Sequence, residues 1–400
     1  MSKASRIMRI TAAVAVAATA VATLPASASA DSQGPALRRA LAAVHAAGAP
    51  GAFAEARGSG RTWEGAAGLA TLSNARPTRP EMRHRVGSIT KTFVATTILQ
   101  LVGEGRLKLD DPVGSLLPEL VTGEVGERVT VRMLLNHTSG IGNYTNEILN
   151  SVATVIEVGN ASFTPEQLVK IGLAMPPTNE PGAVHSYSNT NYIIAGLIIQ
   201  RLTGNDPAAE IGRRILRPLR LTDTYFPGSD PAIRGSHAGA YFASLGVRDL
   251  STYNATWAWM AGELISTMED LNDFFQALLS GRLLPAELLA QMRTVVPFDP
   301  ENPGVGGYGL GIYSIATPCG AIWGHDGGVI GQITVSWHLP DQRRQVSYAM
   351  NFSHYQISPE LHPIDAALQE FLLRALCPEA TAPAARSAVS LRLPGQLAIS

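Results

Sequence analysis

Cysteine is nearly absent from this 400-residue sequence: there are two, Cys319 and Cys377. No Cys-x-x-Cys pair and no His-Glu-x-x-His occurs, so no metal site is expected. Charged residues make up 16%, with a formal net charge of −1. No basic patch or run of like charge interrupts them, which argues against a nucleic-acid partner. Beyond the first 24 residues no segment is long and apolar enough to span a bilayer. Lysine is scarce as well. Only Lys3, Lys91, Lys108 and Lys170 occur among 31 basic residues, so a chain that otherwise uses arginine keeps lysine at position 91.

What is present begins with a leader pattern. Lys3, Arg6 and Arg9 precede an apolar run from Ile10 to Leu24, followed by Ala28-Ser29-Ala30. This reads as a signal peptide, 1–30, cleaved after Ala30, with a secreted product. Losing three basic residues takes the net charge from −1 to about −4. In an oxidising compartment an even cysteine count favours a Cys319–Cys377 disulfide over two buried thiols. The 46% hydrophobic content suits a sizeable core.

Ser88-Ile89-Thr90-Lys91 carries the strongest chemical signal. It opens an apolar helix in which Lys91 is the only charged residue from Ser88 to Gly103. Residues three apart share a helix face, so the amine should lie beside the hydroxyl. A serine needs a neighbouring base to become a nucleophile. An apolar surround and the positive end of the helix dipole both disfavour the ammonium form. Arginine would stay protonated and could not serve.

The rest of the pattern outlines a fold. A helix is expected over Pro35 to Gly48, and strands over Gly51 to Arg57 and Thr62 to Leu69, joined at Gly58-Ser59-Gly60. The Ser88 helix ends near Gly103–Gly105, and a helical, loop-rich stretch runs to about Gly262. Within it, Asn191 to Leu202 is a strongly apolar helix stopped by Gly204. Ser266-Thr267-Met268-Glu269 reads as a capping box opening a helix to Leu279. Strands are expected at Tyr308–Tyr313, Ala321–Trp323, Ile333–Leu339 and Gln345–Phe352. A last helix runs from Pro363 to Leu376. The fold class is therefore α/β in the α+β sense: one antiparallel sheet flanked by terminal helices, with an inserted helical lobe. It occupies one domain, 31–377, followed by an Ala/Pro/Ser-rich tail, 378–400, read as disordered or processed.

A serine–lysine hydrolase also needs a second proton carrier, an oxyanion hole and a wall. Tyr187-Ser188-Asn189 and Tyr144-Thr145-Asn146 both offer a phenol and an amide. His325-Asp326-Gly327 and His237-Ala238-Gly239 both match His-x-Gly. Spacing alone does not choose between the members of each pair.

The ordered set Val86-Gly87-Ser88-Ile89-Thr90-Lys91, Leu134-Leu135-Asn136-His137-Thr138-Ser139-Gly140-Ile141, Tyr187-Ser188-Asn189-Thr190-Asn191-Tyr192, Gly307-Tyr308-Gly309-Leu310-Gly311 and Gly324-His325-Asp326-Gly327-Gly328 resembles the penicillin-recognising serine hydrolases. Within them it is most similar to secreted actinomycete D-alanyl-D-alanine carboxypeptidases. Class C β-lactamases, esterases and D-amino-acid amidases are relatives. The resemblance runs from about Leu37 to Cys377 and implies a β-lactamase/transpeptidase-like fold. It selects Tyr187 over Tyr144 and His325 over His237. It implies Ser88 as the acylated nucleophile, with Lys91 or Tyr187 as the resting base and Tyr187 as proton shuttle to the leaving group. It also implies Asn189 on the substrate amide, His325 in place of the lysine of Lys-Thr-Gly, and an oxyanion hole from the N–H groups of Ser88 and Gly328. Trp257 is either a cleft wall or plain core. No metal or organic cofactor is implied. The expected partners are a small peptide or ester, such as a peptidoglycan stem peptide, and β-lactams as inhibitors or substrates. No membrane span is expected in the mature protein, which is read as a monomer.

The pattern departs from those carboxypeptidases around the strand of His325. Asp326 fills the x position, Gly328 has no hydroxyl, and 311–317 carries no basic residue. If Asp326 and Gly327 face the substrate, a substrate carboxylate is repelled. If strand alternation turns Asp326 away, it is not. Weak recognition of a terminal carboxylate is expected, with an esterase or amidase as the alternative enzyme. A catalytically silent β-lactam- or wall-peptide-binding protein is the alternative of another class.

Overall fold

A computed structural model of the chain describes residues 33–243, 246–356 and 360–380. The leader and the residues beyond 380 lie outside the described residues. Three residues assigned to the tail, Pro378–Ala380, close the last helix with a short 3-10 turn.

The chain opens with helix α1 (Gln33–Ala46). A hairpin of β1 (Gly51–Gly58) and β2 (Arg61–Thr71) follows. Its two-residue turn is built by Ser59 and Gly60, both at positive φ, which suits the twist of the flanking strands. A two-residue strand, β3 (Arg76–Pro77), edges the hairpin. Helix α2 (Thr90–Gly103) comes next; its buried residues include Thr90 through Leu99, as expected of a helix apolar on all sides. The lobe after it holds α3 (Val131–Leu135) and α4 (Thr190–Thr203), the latter stopped by Gly204 at φ 71. Helix α5 (Met268–Leu279) follows. The strands β4 (Val296–Pro297), β5 (Gly306–Tyr308), β6 (Tyr313–Thr317), β7 (Gly320–Val329), β8 (Gln332–His338) and β9 (Arg344–Met350) then complete the sheet. Helix α6 (Pro363–Leu376) ends the fold.

Among the described residues the main sheet has nine strands, in the order β3-β2-β1-β9-β8-β7-β6-β5-β4. Every pairing in it is antiparallel. Side chains alternate across it. Ile333, Val335 and Trp337 of β8 join the core under α1 and α6. Ser336 turns the other way, bonding to Ser347 at 2.8 Å, and Ser347 donates to Asn272 of α5 at 2.9 Å. The expected architecture of sheet, terminal helices and inserted helical lobe is the one observed. Cys319, in the β6–β7 turn, is disulfide-bonded to Cys377 at the end of α6.

Two local expectations are corrected. Tyr308–Tyr313 is not one strand: Tyr308 ends β5 and Tyr313 begins β6, with Gly311 at φ 76 between them. The cap of α5 is Thr267, which accepts the Asp270 N–H at 3.2 Å. Ser266 instead lies in a two-residue strand and bonds to Thr224 at 2.8 Å.

Candidate active site

Ser88 sits in a single 3-10 turn, Gly87–Ile89, that runs directly into α2. The turn packs against the backbone of β7. Gly87 has φ 55, and a Cβ there would meet Gly328 N at 2.9 Å. A Cβ on Gly327 would meet Val86 O at 1.9 Å and Ser88 N at 2.9 Å. Only glycine lets strand and turn approach this closely, and the approach puts Ser88 and Gly328 on the same cavity.

Lys91, the second residue of α2 and one turn after Ser88, is fully buried. Its Nζ lies 2.9 Å from Ser88 Oγ, 2.8 Å from Asn189 Oδ1 and 2.7 Å from the Ala261 carbonyl. Burial holds its pKa well below the usual lysine value, with the charge of Asp326 opposing. A neutral amine fits these contacts. Its two N–H groups serve the two pure acceptors, and its lone pair is left for the Ser88 hydroxyl. Tyr187, just before α4, donates its O–H to Ser88 Oγ at 2.7 Å. Burial raises its pKa far above the ordinary phenol value, although the bond to Ser88 lowers it. The phenol is therefore held as a donor, and Lys91 is the group whose burial favours a free lone pair.

Asn189 links the two halves of the site. Its Oδ1 holds Lys91, and its Nδ2 donates to Thr145 Oγ1 at 3.1 Å. One amide hydrogen remains for a substrate carbonyl. His325 lies on β7 with both nitrogens engaged. Nδ1 meets the backbone carbonyl of Asp326, which can only accept, so Nδ1 carries the proton. Nε2 then accepts from Tyr308 at 2.7 Å. Burial first, and the Lys91 charge second, push the imidazole down to about 3. It is uncharged at neutral pH, unlike the lysine whose place it was expected to take.

Asp326 does not face the substrate. It pairs with Val335 in register, its carboxylate accepts from Tyr313 at 2.7 Å, and it does not line the cavity. Strand alternation turns its Cβ away from that of His325, although its Oδ1 bends back to within 3.6 Å of His325 Nδ1. Burial raises its pKa to about 7, against the Tyr313 bond. Gly327 is likewise taken up by the contact with the Ser88 turn rather than lining the cavity. Trp257 lines the cavity and is also almost fully buried, so wall and core describe the same residue. His237 bonds to the nearby Gly235 carbonyl and lies away from the cavity. Tyr144, the other Tyr-x-Asn, lines the cavity but donates to the Trp257 carbonyl rather than to Ser88.

The cavity encloses about 460 Å³. Sequence reasoning missed its aromatic wall of Phe298, Tyr308, Tyr313 and His185. Tyr308 lay within the quoted Gly-Tyr-Gly-Leu-Gly stretch, while Phe298 and His185 carried no sequence signal. Burial lowers His185 to about 4, so it too is uncharged at neutral pH.

The chain matches the family described as Beta-lactamase over residues 37–369. It is 32% identical over 174 residues to esterase EstB of Burkholderia gladioli, covering 42% of this chain and 44% of that one. The chain spans about half the length of the curated relatives it matches. A D-stereospecific amidohydrolase from Streptomyces sp. superimposes with a TM-score of 0.78 at 38% identity, over 86% of this chain and 99% of that one. D-amino acid amidase from Ochrobactrum anthropi, at 24% identity, shares the fold with a TM-score of 0.75, over 86% and 98% of the two chains. A buried lysine on a serine at the head of an apolar helix, with a phenol on the same oxygen, is thus set in a fold shared along nearly its whole length. The chain belongs to the beta-lactamase family of serine hydrolases, with penicillin-binding proteins, esterases and amidases among its relatives.

Proposed function

We propose that this chain is an exported serine amidohydrolase that cleaves small amides or esters of D-configured residues through a Ser88 acyl-enzyme. The observation that carries the reading is the lining of the cavity, which among the described residues contains no Asp, Glu, Lys or Arg. Its two histidines, His185 and His325, are uncharged at neutral pH. A terminal carboxylate beside the scissile bond would find no free cation among the described residues that line the cavity, since burial depresses the Lys91 pKa and its Nζ is already shared among three oxygens. D-Ala-D-Ala carboxypeptidase activity on wall peptide therefore takes second place to amide or ester hydrolysis. The D preference is supported by the likeness to the Streptomyces amidohydrolase. Export is supported by the leader pattern and by the disulfide.

Chemically, Lys91 takes the Ser88 proton as Oγ attacks the carbonyl carbon. The N–H groups of Ser88 and Gly328 receive the oxyanion, a contribution that typically reaches about 10²–10³ in rate per donor. The leaving nitrogen draws its proton from the Lys91–Tyr187 pair. Water then adds to the acyl-enzyme by the reverse path and restores Ser88. The reading is tested with a D-phenylalanine amide, a D-configured p-nitrophenyl ester and an acid-terminated D-Ala-D-Ala peptide, with Ser88→Ala as control. Faster release from the amide and ester, lost in Ser88→Ala, is expected. Release of D-Ala from the acid-terminated peptide at a rate exceeding both would restore the carboxypeptidase.

A further inference from the structure

The stretch Leu134–Ile141 stands out in the sequence, yet none of the chemistry above uses it. At its centre His137 holds φ +60, just past the end of α3. That conformation suits glycine or asparagine after a helix and is strained for histidine. Strain of this kind persists where the surroundings impose it, and the observed outlier invites a role. The imidazole is fully buried. Its Nδ1 accepts the Ser188 N–H at 3.2 Å and lies 3.3 Å from Asn191 Nδ2. Its own carbonyl accepts the Ser186 N–H at 2.8 Å. One residue thus grips the chain on both sides of Tyr187.

The ring also backs the phenol. His137 and Tyr187 ring centroids lie 4.2 Å apart, and Tyr308, the donor to His325, lies 4.7 Å from His137. Burial holds the imidazole well below its ordinary pKa, and any charge on His185, Lys91 or His325 would lower it further. With Nδ1 accepting, the ring proton sits on Nε2. Neighbouring residues extend the grip. Asn191 Oδ1 accepts from Ser139, and Ser188 Oγ donates to the Gly142 carbonyl.

We propose that His137 is the positioning residue of the site: through its Nδ1 lone pair and ring face it sets the Tyr187 phenol on Ser88 and Asn189 on Lys91. It does not touch Ser88 or the cavity, so its action runs through Tyr187. The inference rests on the Ser88 acyl-enzyme reading above. It explains why a strained histidine stands where glycine would sit without strain.

Three variants test it, each assayed with an activated ester and for the rate of Ser88 labelling by a fluorophosphonate. His137→Gly relieves the backbone but removes ring and acceptor. His137→Asn tolerates positive φ and offers Oδ1 where Nδ1 stood. Tyr187→Phe sets the scale. A displacement of the phenol by about 1 Å is expected to lower kcat on the order of 10²-fold. The expected result is a loss of that size in His137→Gly, with KM within about threefold, unchanged folding, and most of the rate recovered in His137→Asn. Wild-type kcat in His137→Gly with a slow Tyr187→Phe would overturn the positioning role alone. Wild-type kcat in Tyr187→Phe would overturn the phenol's role and this inference together. If His137→Gly unfolds, the comparison of His137→Asn with wild type decides. A folded Asn variant as slow as Tyr187→Phe refutes the lone-pair argument, and one near wild-type rate upholds it.

Discussion

Replacing Gly327 by alanine should slow this enzyme while leaving it folded. Gly327 is not at positive φ, so alanine is allowed by its own backbone and the effect is purely steric. The new Cβ would lie 1.9 Å from Val86 O, where about 3.0 Å is the least a real Cβ tolerates. Strand β7 and the Ser88 turn must therefore part by about 1.1 Å, the difference between those two distances. Both offending atoms, Val86 O and Ser88 N, belong to the backbone and cannot rotate aside. The Val86 N–H is itself tied to the Leu264 carbonyl at 2.9 Å. Overpacking of this kind costs about 1–3 kcal/mol of stability. The larger effect falls on rate. The two proposed oxyanion donors, Ser88 N–H and Gly328 N–H, lie on the two surfaces pushed apart, and a misplacement near 1 Å costs about 10²-fold. The assay is kcat and KM on an activated ester, normalised to Ser88 labelling, beside a thermal melt. Gly304→Ala, with nothing within 4 Å of its new Cβ, is the matched control. A folded Gly327→Ala with kcat within about threefold of wild type would refute this account of the oxyanion hole.

The remaining predictions follow from the same geometry. Burial lowers the Lys91 pKa, and only the unprotonated amine can take the Ser88 proton, so the rate should fall as acid protonates it. Asp326 opposes that lowering only while it is ionised, above about 7, so Asp326→Asn should move an acid limb of kcat/KM that lies above that pH to lower pH, while the preference between acid-terminated and amidated substrates stays unchanged. A limb that moves upward would refute the assignment. Burial raises Glu263 from 4.5 to about 8, so the folded state binds a proton more tightly than the unfolded chain. Between those values stability falls as pH rises, and Glu263→Gln should flatten the slope of denaturation free energy over that window by an amount on the order of a few kcal/mol. An unchanged slope would show that the carboxyl is not buried as described. The Cys319–Cys377 bond closes a 58-residue separation. Changing both residues to serine should cost about 4 kcal/mol in the chain-entropy account and leave kcat intact, since the link lies at the far end of β6 and β7 from Ser88. A loss of kcat in still-folded protein would tie the link to the site.

Much of this was legible in the sequence because it depends on local spacing. Lys91 reaches Ser88 because residues three apart share a helix face. The hairpin at Ser59-Gly60, the stop at Gly204 and the last helix over 363–376 all follow from turn chemistry and periodicity. Boundaries failed where tertiary contacts chose between near-equal options, as at Thr267 over Ser266 and in the break between Tyr308 and Tyr313.

The sequence by itself determined the meeting of Ser88 and Lys91, the sheet with its terminal helices and helical insertion, and the matching of the two cysteines, because each is written in periodicity, spacing or count. Only the tertiary structure decided the choice of Tyr187 over Tyr144 on physical grounds. Both phenols border one cavity, and a single hydrogen bond, to Ser88 Oγ or to the Trp257 carbonyl, separates them. It also decided the facing of Asp326, the uncharged state of His325 and the strained place of His137. Each of these depends on which strand, ring or carbonyl packs against the residue from far along the chain, and no local pattern carries that information.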